Sequence, residues 1–201
     1  MDNKKAKVAV FVSGGGTNLQ AIIDARDAGK LPHIELALVI SDVKDAYALT
    51  RAEKAGIETK VVERNDGREA FEKAILDILF EKEIDLIVLA GFMRILSADF
   101  TSHFPERMIN VHPSLIPSFC GKGFYGLRVH EAALSYGVKV SGATVHFVNE
   151  IPDGGRIIMQ KAVEVKDGDT PEILQRRIME EAEWKILPAS LEKVAKEYVE
   201  K

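Results

Sequence analysis

The sequence predicts an α/β protein with a Rossmann-like, mostly parallel sheet, helices on both faces of that sheet, and mixed strands in the C-terminal half. Short, nearly continuous apolar runs alternate with amphipathic stretches over residues 7–90, which is typical of βαβ units with right-handed crossovers. Later in the chain, two strand-like runs are joined by the turn EIPDGG, which indicates antiparallel neighbours.

The first half of the chain provides the parallel part of the predicted sheet. Strands with the β-branched, apolar composition expected for burial on both faces are predicted at residues 7–13, 34–41, 58–63 and 84–90. Amphipathic helices are predicted between these strands at residues 18–28, 46–55 and 68–81.

The second half continues the sheet and ends in a helix. Strands are predicted at residues 107–112, 141–149 and 156–165, and a charged amphipathic helix from about residue 170 to the end. No repeat, linker or low-complexity segment interrupts the pattern. We therefore expect a single domain over residues 1–201.

The composition is that of a globular protein with a substantial core, at 46% hydrophobic and 29% charged residues. The formal net charge of -4 lacks the basic surface with which nucleic-acid binders neutralise phosphates. One cysteine, Cys120, excludes an internal disulfide, and the N-terminal MDNKKAK precedes an apolar run too short for a signal peptide. We expect a cytoplasmic protein with neither nucleic acid nor membrane as a partner, and a homodimer is left open.

A glycine-rich turn, SGGGTN, connects the first predicted strand to the first predicted helix. Free backbone N–H groups and the positive end of a helix dipole favour an anion at such a turn, most often phosphate. The spacing fits neither the dinucleotide fingerprint nor the Walker A loop. Thr17 and Asn18 place a hydroxyl and an amide at the helix start, although the same residues also suit an ordinary N-cap.

Asn110 and His112 lie in the segment MINVHPSLIPSF. On a strand they share one side, and Pro113 keeps His112 extended at the end of the strand. Ligands of open α/β sheets bind at that edge. An isolated histidine is more often a packing residue, but the pairing with Asn110 favours a functional site.

Asp153 is a candidate third member of this site. It lies in IPDGG, where Pro152 restricts the backbone and the two following glycines allow close approach of another segment. Asp-Gly is also a common hairpin pair, so from spacing alone a simple turn is the favoured interpretation.

Five segments together resemble one enzyme family. VFVSGGGTNLQAI, LAGFMRIL, INVHPSLIPSF, ATVHFVNEIPDGGRIIMQ and EEAEWKILP occur in the order and at close to the spacing of phosphoribosylglycinamide formyltransferases, the folate-dependent enzymes of purine synthesis. HPSL-x-P marks only the wider formyltransferase superfamily, which includes methionyl-tRNA formyltransferase and formyltetrahydrofolate deformylase. The glycine turn with Thr17 and Asn18 is similar to that of the glycinamide ribonucleotide branch.

The resemblance implies a function: transfer of the formyl group of 10-formyltetrahydrofolate to the amino group of glycinamide ribonucleotide, through a tetrahedral intermediate. The folate is then a formyl-donor cosubstrate, and no metal is implied. The five histidines likewise show no metal-ligand spacing such as H-E-x-x-H.

The resemblance also implies roles for individual residues. The catalytic residues match Asn110, His112 and Asp153. The residues that match the phosphate loop are Gly16, Thr17 and Asn18, and those that match the folate segment are Arg68, Met93, Arg94, Ile95 and Leu96. Glu183 matches a carboxylate that contacts the ribose, although the count from Asp169 to Glu183 is one residue longer than in some relatives.

One segment departs from the family pattern. Residues 120–129, CGKGFYGLRV, form a longer link than many members have before the helix near HEAAL, and this link lies beside the predicted site. His146 is either a supporting residue of that site or a satisfied core histidine. The sequence does not determine the peptide isomer at Ile116–Pro117.

Three alternative functions differ from the favoured one in features that the sequence can show. A methionyl-tRNA formyltransferase is expected to carry a C-terminal domain and a basic surface, and a deformylase an N-terminal regulatory domain. A non-catalytic nucleotide- or folate-binding module does not need Asn110, His112 and Asp153 together.

Overall fold

A seven-stranded sheet forms the centre of the computed structural model, which describes residues 4–201. The spatial order is β3-β2-β1-β4-β5-β6-β7. The strands are β1 (Ala6–Val12), β2 (Ile34–Ser41), β3 (Glu58–Val61), β4 (Leu86–Leu89), β5 (Met108–His112), β6 (Val140–Phe147) and β7 (Ile157–Glu164). The N-terminal stretch MDNKKAK, for which a signal peptide was excluded above, begins with residues that lie outside this described part.

The strands β1 to β5 pair in parallel, whereas β6 and β7 are antiparallel to their neighbours. The predicted mostly parallel sheet with mixed C-terminal strands is therefore confirmed. The order reverses between β1 and β4, because β2 and β3 lie on one side of β1 while β4 and β5 lie on the other. Such a switch point opens a crevice at the carboxyl ends of the strands.

Within residues 4–201, seven α-helices and one π-helical turn surround the sheet. Their bounds are α1 (Thr17–Asp27), α2 (Tyr47–Lys54), α3 (Gly67–Glu81), α4 (Ala98–Ser102), α5 (Leu127–Tyr136), α6 (Pro171–Ile178), the π-helix Met179–Glu183 and α7 (Trp184–Val199). The predicted C-terminal helix is therefore interrupted by a π turn. Thr170 caps its start by accepting a hydrogen bond from the Ile173 amide.

The central strands are buried on both faces, as their composition predicts. In β1, Val8 and Val10 pack into a cluster with α1, α2 and α7, whereas Ala9 and Phe11 pack into a second cluster with α3 and α4. The alternation follows from the two-residue period of a strand. The sheet is therefore covered by helices on both sides.

The prediction that residues 58–63 form a strand buried on both faces is wrong. β3 ends at Val61, and Glu58, Lys60 and Val61 are all exposed. β3 is the edge strand of the sheet, paired only with β2 among the described strands. Its charged side chains suit an exposed edge, since they oppose pairing with another chain.

Two short elements were not predicted at their observed positions. Helix α4 begins after Ser97, whose hydroxyl accepts a hydrogen bond from the Phe100 amide. Helix α5 begins at Leu127, three residues before the HEAAL motif at His130. Helix α5 ends at Tyr136, and its C-cap residue Gly137 adopts the left-handed conformation that favours glycine. The peptide bond Ile116–Pro117 is cis.

Candidate active site

A cleft of about 910 Å³ opens at the carboxyl ends of β1, β4 and β5. Its walls bring together predicted residues that are far apart in the sequence. Those that line it are Thr17, Asn18, Met93, Arg94, Ile95, Leu96, Asn110, His112, Asp153 and Glu183. Two predicted residues, Gly16 and Arg68, are not part of its lining.

Asn110 and His112 occupy the end of β5. Their neighbours Ile109 and Val111 pack into the core on the opposite face of the sheet, so the two-residue period of the strand places Asn110 and His112 on the same side. His112 is buried, and its Nε2 atom lies 2.8 Å from the carbonyl oxygen of Phe119. The sequence predicts that Asn110 and His112 share one side of the strand, and in the structure they do.

His146 lies opposite Asn110 in the antiparallel register of β5 and β6. Its Nδ1 atom lies 2.7 Å from the Phe147 carbonyl, which requires a proton on Nδ1. With that proton in place, Nε2 of the neutral ring accepts from the Asn110 amide, whose nitrogen is 3.3 Å away, whereas Nε2 of the charged ring donates toward Asp153. His146 therefore orients the Asn110 amide, so its place is in the cleft wall rather than in the core alone.

Asp153 lies in the connection between β6 and β7 at a positive φ of 56°. One carboxylate oxygen is 3.5 Å from Nδ1 of His112 and the other is 3.5 Å from Nε2 of His146. Beside it the backbone of Gly155 lies against that of Phe147, so closely that a Cβ on Gly155 would be only 1.7 Å from the Phe147 carbonyl oxygen. The connection is longer than a two-residue hairpin turn, and it points the carboxylate at two imidazoles.

The electrostatics of His112 and Asp153 oppose each other. Burial lowers the pKa of His112, and the charge of Asp153 and the Phe119 carbonyl offset only part of this effect. Burial alone would raise the pKa of Asp153, but contacts from His146, His112 and the Gly121 amide together hold that pKa below its usual value. Asp153 is therefore ionised at neutral pH and supplies the main charge that favours a protonated His112.

The long link that departs from the family pattern forms part of this cleft. Phe119, at a positive φ of 49°, directs its carbonyl to His112, and the Gly121 amide donates a 2.8 Å hydrogen bond to Asp153. Lys122, Phe124 and Tyr125 continue along the cleft wall. Backbone groups at the start of this link and just before it thus contact both His112 and Asp153.

The glycine turn begins helix α1 without a side-chain cap. Gly16 is the N-cap residue at a left-handed φ of 71°, and the first turn of α1 contains no acidic side chain. The amide N–H groups at the start of such a helix lack intrahelical partners. The turn therefore presents backbone donors and a positive dipole end at the edge of the cleft.

Glu183 is buried at the end of the π-helix, and it accepts a 2.8 Å hydrogen bond from the side-chain amide of Asn18. Burial raises the pKa of Glu183 to about 7, and the contact with Asn18 offsets this effect only in part. π-helical turns are frequent at functional sites. The structure thus links the predicted ribose carboxylate to the predicted phosphate loop.

Glu183→Gln is expected to remove a pH dependence of stability. A carboxyl group whose native pKa is raised from 4.5 to about 7 stabilises the fold below pH 4.5, and this contribution is lost as the pH rises through 7. The gap corresponds to on the order of 3 kcal/mol. Urea unfolding from about pH 5 to about pH 8 should show a falling free energy of unfolding in the wild type and a flatter profile in the variant.

The matched control for that measurement is Glu180→Gln in the same π-helix. Glu180 is exposed and pairs with Arg176 on the surface, so its replacement should leave the pH profile of stability as in the wild type. Parallel profiles for the wild type and Glu183→Gln would contradict the assignment of a raised pKa to Glu183.

The segment after β4 forms a second wall of the cleft. Met93 and Ile95 are 56% and 59% exposed, although both are large and apolar. Two contacts fix the backbone of this segment. The Met93 amide donates to the hydroxyl of Ser13, and Arg94 forms an ion pair with the buried Asp42. The wall therefore offers apolar side chains on a fixed backbone, which suits a flat ring.

Arg68 lies at the start of α3, behind this wall. It donates hydrogen bonds to Glu72 and to the carbonyl of Ile95. Glu72 is buried and also accepts from the amide and the hydroxyl of Ser97. Arg68 is thus half-exposed and fastened to the wall through two partners.

Several of these groups escape sequence reasoning. Ser13 and Asp42 carry no motif, and their roles follow only from the meeting of β1 and β2 at the sheet edge. The Phe119 carbonyl and Gly121 amide are backbone groups, which every sequence contains. Burial raises the pKa of the Cys120 thiol, which disfavours the reactive thiolate form.

Residues 4–201 offer no candidate for two other classes of site. In this part of the chain, no group of three or more His, Cys, Asp and Glu side chains is arranged to hold a metal ion. Among the helices of the same residues, none combines the length and apolarity required to cross a bilayer.

The fold and the site together define a formyl transferase. Residues 6–191 match the profile of the family described as Formyl transferase, so the chain belongs to that family. The phosphoribosylglycinamide formyltransferase of Haemophilus influenzae is 43% identical over 184 residues, which are 90% of this chain and 84% of that protein. The Escherichia coli K12 protein of the same name is 41% identical over 85% of this chain and 79% of its own.

Solved structures agree with these relatives. The crystal structure of phosphoribosylglycinamide formyltransferase from Brucella melitensis is 43% identical, covers 96% of both chains and superposes with a TM-score of 0.87. Glycinamide ribonucleotide transformylase 1 from Symbiobacterium toebii gives a TM-score of 0.89 at 42% identity, over 96% of this chain and 89% of that chain. Within its family, the chain is therefore a member of the phosphoribosylglycinamide formyltransferases.

Some relatives are much longer proteins. The trifunctional purine biosynthetic protein adenosine-3 of Bos taurus is 49% identical over 96% of this chain, but the match covers only 18% of that protein. The chain thus spans about a fifth of the length of these trifunctional relatives.

Proposed function

We propose that the chain transfers the formyl group of 10-formyltetrahydrofolate to the amino group of glycinamide ribonucleotide, a step of de novo purine biosynthesis. One observation carries this proposal. Asn110, His112 and Asp153 converge at the sheet edge of a chain that belongs to the phosphoribosylglycinamide formyltransferases. A folate-derived formyl donor and small-molecule substrates follow from the family.

We propose that the ribonucleotide occupies the side of the cleft next to α1. Its phosphate binds the backbone amides at Gly16, Thr17 and Asn18, where uncapped N–H groups and the helix dipole favour an anion. Its ribose lies against Glu183, which shares a hydrogen bond with Asn18. A carboxylate is a suitable acceptor for sugar hydroxyls.

The folate occupies the other side of the cleft in this proposal. Its pterin-like ring packs on the segment formed by Met93, Arg94, Ile95 and Leu96, whose exposed apolar side chains suit a flat ring. Arg68 supplies a positive charge near the tail of the folate in this proposal. The two reactants then meet above the end of β5.

The reaction forms one C–N bond and breaks another. The amine of the ribonucleotide attacks the formyl carbon, and the electrons of the carbonyl move to its oxygen to give a tetrahedral oxyanion. The amine then loses a proton, the folate nitrogen gains one, and the bond between that nitrogen and the formyl carbon breaks. Donors aimed at the oxyanion and a group that relays the proton therefore accelerate the reaction.

Asn110 and His112 are the proposed donors to the oxyanion, and Asp153 the group that keeps His112 charged and relays protons. His146 fixes the orientation of the Asn110 amide, so one N–H of that amide stays available to the cleft. Both ring nitrogens of His112 face protein acceptors, so donation to the formyl oxygen requires that one of these contacts is exchanged for it. No metal is required for these steps.

The remaining expectations complete the proposal. We propose one formyltransferase domain over residues 1–201, a location in the cytoplasm, and no partnership with nucleic acid or membrane. A homodimer is compatible with this proposal.

The proposed function predicts a strong preference among acceptors. The purified chain is incubated with 10-formyltetrahydrofolate and glycinamide ribonucleotide, water alone or initiator methionyl-tRNA, and release of tetrahydrofolate is followed by its absorbance. The ribonucleotide should be formylated rapidly, because only this acceptor combines the phosphate, the ribose and the amine for which the cleft has groups.

Rapid release of tetrahydrofolate without the ribonucleotide would instead indicate a deformylase. Binding of both ligands without turnover would indicate a non-catalytic module. Faster formylation of the tRNA than of the ribonucleotide would place the chain in another branch of the family.

A further inference from the structure

The glycine turn is held from behind by helix α2. The Ala48 amide donates a 3.0 Å hydrogen bond to the carbonyl of Gly14. The Nε atom of Arg51, one turn further along α2, donates a 2.8 Å hydrogen bond to the carbonyl of Gly15. Two successive carbonyls of the turn are therefore directed toward α2.

The direction of these carbonyls fixes the direction of the amides. In a planar trans peptide, the N–H of one residue points opposite to the C=O of the residue before it. The N–H groups of Gly15 and Gly16 therefore point away from α2. Gly16 is the N-cap residue of α1, so its N–H directly precedes the free amides at the start of that helix.

Arg51 is held so that it can maintain this direction. Its Nη1 atom donates a 2.9 Å hydrogen bond to the side chain of Gln20 on α1, and its guanidinium lies 4.9 Å from the centre of the Tyr47 ring. The planar guanidinium forms both hydrogen bonds at once, which a lysine ammonium on a flexible stem cannot match in geometry. Arg51 thus joins α2, the glycine turn and α1.

The glycine turn and α2 are so close that no side chain fits at Gly16. A Cβ on Gly16 would lie 2.6 Å from the Cβ of Ala48. Gly16 is also in the left-handed conformation, at a φ of 71°. The backbone of the turn therefore rests directly on α2, and Arg51 is the charged group of that support.

We propose that Arg51 is a positioning residue for the phosphate of the ribonucleotide. It acts through the Gly15–Gly16 peptide, which it orients and polarises so that the Gly16 N–H is aimed at the phosphate. This inference rests on the proposed function, and it assigns to α2 a role in substrate binding that the phosphate-loop residues alone do not describe.

The test is Arg51→Gln, measured with two acceptors. The KM for glycinamide ribonucleotide should rise about tenfold, the size of a weakened charge-assisted hydrogen bond, while the KM for the folate and the saturating kcat stay near the wild-type values. With the same acceptor lacking its phosphate, kcat/KM should not change. A substitution that merely loosened the fold would affect both acceptors alike.

A second measurement does not depend on activity. Binding of inorganic phosphate, followed by ³¹P line broadening, should weaken by the same factor in Arg51→Gln. Equal phosphate affinity in the wild type and the variant, or absence of phosphate binding by the wild type, would overturn the role of Arg51. Phosphate binding without formylation of the ribonucleotide would instead contradict the proposed function and leave the role of Arg51 standing.

Arg26→Gln is the matched control. Arg26 also donates a side-chain hydrogen bond between these two helices, but to the carbonyl of Ala55 at the far end of α2. Its replacement should leave both acceptors and phosphate binding unchanged. Should Arg51→Gln fail to fold, Arg51→Lys serves the same test, with a smaller rise in KM expected and an unchanged KM counting against the proposal.

Discussion

Replacing Asp153 with asparagine should lower kcat by a factor on the order of 10² or more, while the affinity for the ribonucleotide stays nearly intact. The carboxylate lies 3.5 Å from His112 and is the main charge that opposes the effect of burial on that imidazole. An amide of the same size keeps the hydrogen bond from Gly121 but removes the charge. The loss should therefore fall on the chemical step, measured as kcat under saturation.

The pair His112 and Asp153 should behave as a unit. If Asp153 acts by keeping His112 charged and in place, then His112→Ala removes the same stabilisation of the transition state. The double variant should therefore resemble the worse single variant. Strictly multiplicative losses would contradict the coupling.

The pH profile of kcat provides an independent test of the interaction between His112 and Asp153. Asp153 raises the pKa of His112, so its neutralisation should lower that pKa further. The limb of the kcat profile that falls as His112 loses its proton should move to lower pH in Asp153→Asn. Asp167→Asn, at a fully exposed carboxylate, is the matched control and should change neither kcat nor the profile. A near-normal kcat for Asp153→Asn would mean that Asp153 serves only to form the turn.

Replacing Asn110 with alanine should also lower kcat by a factor on the order of 10², the range for removal of one oxyanion donor. The amide of Asn110 is held by Nε2 of His146, whose own Nδ1 donates to a backbone carbonyl. The donor is thus oriented before the oxyanion forms, so no reorganisation is required in the transition state. Binding of both substrates should change little.

Asn110→Asp separates the donor from the shape of the side chain. Aspartate has the size of asparagine, but in its ionised form it only accepts hydrogen bonds and repels a developing negative charge. Its kcat should be at least as low as that of Asn110→Ala. An aspartate variant with nearly wild-type kcat would show that the volume of Asn110 matters rather than its N–H.

The sequence predicts what depends on local pattern. The alternation of Val8, Ala9, Val10 and Phe11 specifies a strand covered on both faces, and the structure has it in the middle of the sheet. The spacing of Asn110 and His112 likewise determines that they share a side. Such statements need only the period of a strand, which is a property of neighbouring residues.

Features that depend on distant contacts were beyond this reasoning. The exposure of β3 follows from its place at the edge, and strand order is decided by the packing of the whole sheet. Asn18 and Glu183 share a hydrogen bond although 165 positions separate them. The place of Asp153 beside His112 was expected only from the family resemblance, because Asp-Gly in isolation favours a simple turn, and its contact with His146 was not predicted.

The π-helical turn Met179–Glu183 holds one residue more than an α-helical turn at the same place would. An α-helix rotates by about 100° per residue, so an insertion would normally turn every later side chain to a new direction. A π turn absorbs the additional residue within itself, because each of its hydrogen bonds spans one residue more. Leu174 and Ile178 before the turn, and Leu187 and Leu191 after it, accordingly pack into the same core cluster. The helices on both sides thus face the same core, although the turn between them carries Glu183 into the cleft.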